Sequence, residues 1–399
     1  MILRRALPVA ALLAAVSPCV AQPTAPLEER LARIEAQLAR LEARLDGKGT
    51  AADLAPTLKE VAAVQSALAS EGRGSPAVVK AAGTETKLAL GGFVHANFES
   101  GTAPDARWTG ISDRFLLRRA RISATGAFAE AMAFKLEADF GNNSLAAKSG
   151  VAGQLTDAFL AWTHYPAANV KVGQFKTPFG FEQLGSDTKI YTIERSLAND
   201  KLTVSRQIGG QISGDVLGQR LSYAAGAFNG TGTNVGANDS RKFMWVGRVS
   251  AVAFKGRAGD QPIKLTTGVN AFTTVDQGAF TGRRFGTGLD AQLVVGPAEL
   301  QAEWLRNDLH PRTGQPTAAD GWSLLGALNF TRQWQGVTRF ESYDSNTATA
   351  HTTSETWTLG VNYLLHGDDL KLSLDYLSGR QPAPAAPGDR VIGRLQVMF

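Results

Sequence analysis

The sequence predicts an all-β protein: a 16-stranded antiparallel transmembrane β-barrel preceded by a short α-helical coiled coil. Three observations lead there. After Thr86 apolar and polar residues alternate with period two as far as Phe399. The connections between alternating segments sort into short turns and long polar loops. No stretch beyond the N-terminus approaches the roughly 18 apolar residues that a membrane-spanning helix needs.

The N-terminus reads as a leader. Arg4 and Arg5 precede an apolar run from Ala6 to Val16, and small residues follow as far as Ala21, so cleavage is expected after Ala21 and residues 1–21 form a signal peptide. The run is too short to anchor the chain as a membrane helix. Pro18 before Cys19 argues against a lipoprotein site. Cys19 is the only cysteine, so the mature chain has no disulfide frame, thiolate metal site or cysteine nucleophile. Losing Arg4 and Arg5 leaves 39 basic against 36 acidic residues, an excess too small to argue nucleic-acid binding.

Residues 22–50 form the coiled-coil segment. In "LEERLARIEAQLARLEARL", Leu27, Leu31, Ile34, Leu38, Leu41 and Leu45 recur at alternating steps of four and three, with charges between them. Such a heptad seam needs a partner helix; a single amphipathic helix lying on its own domain is the alternative. The stripe is short, so it assists an oligomer rather than holding one alone, and it could also tether the barrel to the cell wall or a periplasmic partner. Residues 51–85 read as a weaker helix, near Asp53–Leu68, and a Gly- and Pro-bearing linker over Ser70–Thr86.

The barrel is expected over 86–399. Leu88, Leu90, Val94, Ala96 and Phe98 set an apolar face against His95 and Asn97. Leu300, Ala302 and Trp304 oppose Glu299, Gln301 and Glu303, and Leu370, Leu372, Leu374 and Tyr376 oppose Lys371, Ser373 and Asp375. Short turns fall at 128–131, 165–168, 215–219, 255–262, 296–298, 332–335 and 365–369. Long loops fall near 99–113, 141–154, 177–203, 229–242, 274–284, 307–320, 344–354 and 379–389. Seven turns and eight loops join sixteen strands of roughly ten residues, the pattern of a bacterial outer-membrane barrel; merging one hairpin gives fourteen. A soluble sandwich also alternates, but its loops do not sort by length in this way. Trp162, Trp245, Trp304, Trp322, Trp334 and Trp357 lie in or near strands, several close to strand ends as interfacial girdles require. Sixteen strands enclose water, unlike eight. The last segment, "VIGRLQVMF", offers Leu395, Val397 and Phe399 to lipid and Arg394 and Gln396 to the pore.

The polar face then lines the lumen. In "RFLLRRARISATGAF" (Arg114–Phe128), Ala120, Ile122 and Ala124 take the lipid side, so Arg119, Arg121, Ser123 and Thr125 point inward. Arg118 has the opposite parity and is expected at the rim, its side chain snorkelling. Two guanidiniums two residues apart form a cationic track suited to oxyanions, unless carboxylates such as Glu137 or Asp139 on the next strand neutralise them. Pro178 and Gly180 break the strand after Lys176, and the longest loop follows. Its Lys189, Arg195 and Lys201 face Glu182, Asp187, Glu194 and Asp200, so it is not basic overall. An anion site needs Lys176, Lys189 or Arg195 to converge with Arg119 and Arg121.

"FLLRRARISATG", "VKVGQFKTPFGFEQL", "IERSLA" and "GAFNG" resemble, in order and spacing, the phosphate-selective porins of the O/P family, and the resemblance covers residues 86–399. It implies a homotrimer of sixteen-stranded barrels, each with an inward-folded third loop, a lumenal arginine ladder and lysines near the constriction. By motif position Arg119 and Arg121 belong to the ladder, Lys176 precedes the third loop and Lys189 lies within it. The loop's acidic residues depart from a strongly basic eyelet. The terminal Phe399 also resembles the aromatic end that outer-membrane barrels present to their insertion machinery.

Other chemistries lack support in the sequence. His95, His164, His310, His351 and His366 are scattered, without metal-ligand spacing, and read as ordinary interface or loop residues. "GTGLDAQ" has no following helix to make a phosphate loop, and G-x-S-x-G is absent, so no enzyme and no cofactor are expected. The expected function is an outer-membrane porin passing phosphate, polyphosphate or other small anions, with a general or differently selective diffusion porin as the alternative.

Overall fold

The structure, a computed structural model, describes residues 78–81, 84–129, 131–141, 153–238, 240–277, 280–382 and 384–399. The signal peptide, heptad seam and weaker helix expected over 1–77 lie outside these residues.

Strand β1 (Val78–Ala81) folds back on the start of β2 (Thr84–Gly101), so the stretch read as linker ends in a short hairpin. After β2 come β3 (Arg114–Phe128), β4 (Met132–Asp139), β5 (Gln154–Tyr165), β6 (Ala168–Lys176) and β7 (Arg206–Val216). Then follow β8 (Leu221–Phe228), β9 (Met244–Ala258), β10 (Gln261–Val275), β11 (Gly282–Val295) and β12 (Ala298–Pro311). The last five are β13 (Thr317–Asn329), β14 (Trp334–Asp344), β15 (Thr353–Asp368), β16 (Leu370–Arg380) and β17 (Gly388–Met398). From β2 onward each strand pairs antiparallel with the next, and β17 pairs with β2 in the register Arg394↔Asn97, closing a ring of sixteen. Closure leaves no free sheet edge among these strands.

The strands are less uniform than ten residues each: β2 has 18 and β4 has 8. The loop expected near 307–320 shrinks to 312–316, because β12 runs on to Pro311 and pairs with β13 as far as Leu309↔Thr317.

The wall is inside-out. Leu90, Ile122, Leu136, Leu359 and Leu374 are exposed, whereas the polar His95, Arg121, Glu137, Thr358 and Asp375 on the same strands are buried. Lipid is the medium that covers such an outer face. The last strand follows this rule: Leu395, Val397 and Phe399 are exposed and Arg394 and Gln396 are buried. His95 is neither an interface nor a loop residue, as the sequence suggested; it is buried on the lumen wall, where its Nε2 bonds Gln396 Oε1 at 2.8 Å across the closing seam.

That seam ends in a tight fit. Gly92 N donates to Phe399 O at 2.9 Å, and Phe399 N donates to Gly92 O at 3.1 Å. A Cβ on Gly92 would stand 2.8 Å from the Phe399 ring and 2.3 Å from the backbone oxygen of Arg121. Gly92→Val is therefore expected to cut the yield of folded barrel severalfold, read as the fast-migrating band on unheated gels. An unchanged yield would show that the seam closes without this close approach.

Candidate anion path

The segment 177–205 leaves the wall after β6 and returns at β7. Pro178 and Gly180, with φ of 83°, end the strand, and two single-turn helices follow, α1 (Phe181–Leu184) and α2 (Leu197–Leu202). Ser196 caps α2 by accepting from Asn199 N at 3.1 Å. Apolar residues seat one flank of the loop: Phe179, Ala198, Leu202 and Val204 pack with Phe228, Phe272 and Leu305 of the wall. Polar wall residues hold the rest. Glu303 on β12 accepts from Phe181 N and Glu182 N, and Asp375 on β16 accepts from Ile193 N at 2.6 Å. Tyr191 OH donates to Glu299 at 2.6 Å, while Lys371 and Gln396 both donate to Thr188 O. Beginning between β6 and β7 and bonding β16 and β17, which lie nearly opposite in the ring, the loop crosses the lumen.

On the far side it meets the arginines. Strand β3 is irregular where His95 faces Arg119 but Ala96 faces Leu117, which leaves Arg118 as the extra residue. The bulge turns Arg118 and Arg119 to the same face. Arg118 is thus not a snorkelling rim residue. It is buried, and its Nε and Nη2 donate to the two carboxylate oxygens of Glu194 at 2.8 and 2.9 Å. Arg394 donates to the same carboxylate at 2.7 Å and to Ile193 O at 2.5 Å. Asp187 is the second hub: Arg195 Nη1 donates to it at 2.5 Å and Arg121 Nη1 at 2.6 Å, and Arg119 Nη2 lies 3.4 Å away. Arg121 also donates to Asp139 at 2.8 Å. Burial works against the charge on Asp187 and Glu194, yet the guanidiniums around them hold both well below the ordinary carboxylate range.

The five residues singled out by sequence therefore divide. Arg119, Arg121 and Arg195 converge, but on the carboxylate of Asp187. Arg195 is also tied into its own loop through Glu182 O and Gly185 O, at 2.9 and 2.8 Å. Arg119 keeps Nε and Nη1 buried without a hydrogen-bond acceptor among the described residues. Lys176 donates to Gly185 O at 2.6 Å and Lys189 is exposed, and neither has a carboxylate partner among the described residues. Lys171, not singled out from the sequence, likewise has no carboxylate in ion-pair contact among the described residues and lies 4.7 Å from the Phe159 ring centroid and 5.0 Å from that of Phe175. Its lone charge between Val170 and Val172 was the available signal. Nearby cations are paired: Lys135 with Glu137 and Asp157, and Arg206 with Asp157 at 2.7 Å.

A closed sixteen-stranded wall with a charged loop folded across its lumen is the architecture of a diffusion channel. The sequence matches the phosphate-selective porin O and P family over residues 88–399. The chain belongs to that family. This porin is an outer-membrane channel, and its family and fold are those of channel proteins rather than enzymes. Its barrel is similar to the anion-selective porin from Comamonas acidovorans, with a TM-score of 0.61 at 14% identity over 79% of this chain and 100% of that one. It is also similar to the outer membrane channel DcaP of Acinetobacter baumannii, with a TM-score of 0.59 at 13% identity over 81% and 100% of the two chains. A third similar structure is Salmonella typhi OmpF in complex with daunomycin, with a TM-score of 0.57 at 11% identity over 79% and 98%. At such identities the likeness is one of fold. Comparison with curated proteins finds no match.

Proposed function

We propose that this porin is a passive, anion-preferring channel for small oxyanions, with phosphate or polyphosphate as the solutes. The observation that supports this most is the set of lysines with no carboxylate in ion-pair contact among the described residues, Lys171, Lys176 and Lys189, beside a loop whose carboxylates Asp187 and Glu194 are already held by arginines. An oxyanion sheds part of its water at the narrowing, and the lysine ammonium groups replace that water by charge-assisted hydrogen bonds. Because Arg119 and Arg121 face Asp187, the preference is moderate rather than strict. Family membership and the anion-selective Comamonas acidovorans porin point the same way.

The test is reversal potential in a salt gradient across a planar bilayer, followed by titration with phosphate. Anion preference and a conductance block by millimolar phosphate are expected. Cation preference, or no block, overturns the reading. Conductance that simply follows bulk ion mobility would favour a general diffusion porin, the alternative suggested by the neutralised arginines. The double substitution Lys176→Gln with Lys189→Glu is expected to shift the permeability ratio severalfold toward cations and to weaken the block.

A homotrimer is part of the same proposal. The heptad seam Leu27–Leu45 calls for partner helices, and the similar OmpT of Vibrio cholerae has been solved in a trimer form. Deleting residues 27–45 is expected to lower the trimer fraction in size-exclusion chromatography; an unchanged fraction would remove the seam from trimer formation and leave it the tethering role.

A further inference from the structure

Where β9, β10 and β11 reach the end of the barrel with long loops, a concave pocket of ≈ 560 Å³ opens, and Arg241, Lys242 and Arg283 line it beside Phe243 and Trp245. Strand parity says which way it faces. Met244, Val246 and Phe272 are buried on the inner side, so Trp245 and its cross-strand partner Thr273 point outward, as do Val275 and its partner Arg283. The pocket therefore lies on the outer surface of the barrel, not in the lumen. Phe243 and Trp245 are exposed large aromatics, suited to the boundary between apolar tails and headgroups. Arg241, Lys242 and Arg283 are exposed, and none has a carboxylate within ion-pair distance among the described residues. Asp276, just beyond β10, is engaged by Arg312, whose Nε donates to it at 2.9 Å.

Three cations with no carboxylate in ion-pair contact among the described residues, beside an aromatic floor that faces sideways into the membrane, fit an amphiphile whose head bears phosphate. We infer that this pocket holds the phosphorylated headgroup of an outer-leaflet glycolipid. Arg241 and Arg283 would grip phosphate oxygens through their planar donor forks and Lys242 would add a point charge. Phe243 and Trp245 would lie against the sugar and the first methylenes of the acyl chains. The long-loop end of such a barrel faces outward from the cell, which places the pocket at the leaflet where this class of lipid resides.

Native mass spectrometry of the detergent-solubilised full chain tests this with three probes: bis-phosphorylated lipid A, its dephosphorylated form and inorganic phosphate. The phosphorylated lipid should be retained, and Arg241→Gln, Lys242→Gln and Arg283→Gln together should weaken retention by about tenfold or more. Channel conductance and ion preference should stay unchanged in the triple variant, which also reports that the barrel has folded. Equal retention by the variant, or equal retention of the dephosphorylated lipid, overturns the headgroup assignment. Full displacement of the lipid by millimolar inorganic phosphate would make this a free-phosphate site and overturn the lipid assignment as well.

Discussion

Glu194→Gln is expected to raise single-channel conductance severalfold and make it noisy, because that carboxylate joins the crossing loop to two wall strands. Arg118 on β3 and Arg394 on β17 both donate to Glu194, and Arg119 lies 3.8 Å from it. An amide keeps one acceptor oxygen, presents N–H donors in place of the oxygen that accepts from Arg118 Nη2, and carries no charge, so Arg118 and Arg394 both lose this counter-ion. Removing one member of a buried ion pair typically costs about 3–5 kcal/mol. Water in the lumen relieves part of that by entering the gap, and the loop pays with its position. The backbone anchors at Ile193 and Leu197 remain, held by Asp375 and Glu341, so the loop loosens at its centre and keeps its ends. Single-channel recordings check this. Conductance and noise matching the native protein would mean that Glu194 does not hold the constriction.

Asp187→Asn is expected to act on selectivity more than on conductance. Asp187 stands among Arg119, Arg121 and Arg195, and replacing it removes the negative charge that they share. The anion-over-cation permeability ratio should rise severalfold and the phosphate concentration for half-block should fall. An unchanged ratio would mean that these arginines do not face the conducting path. Acid should mimic the substitution only at low pH. The carboxyls of Asp187 and Glu194 are depressed in the folded protein, so their contribution is present above the unfolded carboxylate pKa of about 4 and is lost as pH falls through the depressed folded values. Selectivity should therefore be flat from neutrality to about pH 4 and move toward anions only below that. A shift centred near neutrality would point to another group.

Much of the wall was legible from local pattern. Side chains alternate across a strand by geometry, so Leu395, Val397 and Phe399 could be separated from Arg394 and Gln396 without any knowledge of neighbours. The lengths of the turns and loops likewise reported which end of the barrel each occupies. Arg118 shows where local parity ends: a bulge set by pairing with β2 inserted one residue and turned the side chain into the lumen.

The site was legible in its members and not in its wiring. Arg119, Arg121 and Arg195 stood out by type and position, but Arg121 meets Asp187 across 66 residues and Arg394 meets Glu194 across 200. Sequence by itself determined the alternating strands, most of their lipid-facing residues and most of the charges turned toward water, because a period of two is a property of each strand alone. Only the tertiary structure decided which of those charges remain free for a passing anion. Ring closure and the path of one loop bring distant carboxylates to 2.6 Å from Arg121 and 2.7 Å from Arg394, where Coulomb attraction in a confined space outweighs anything their sequence neighbours supply.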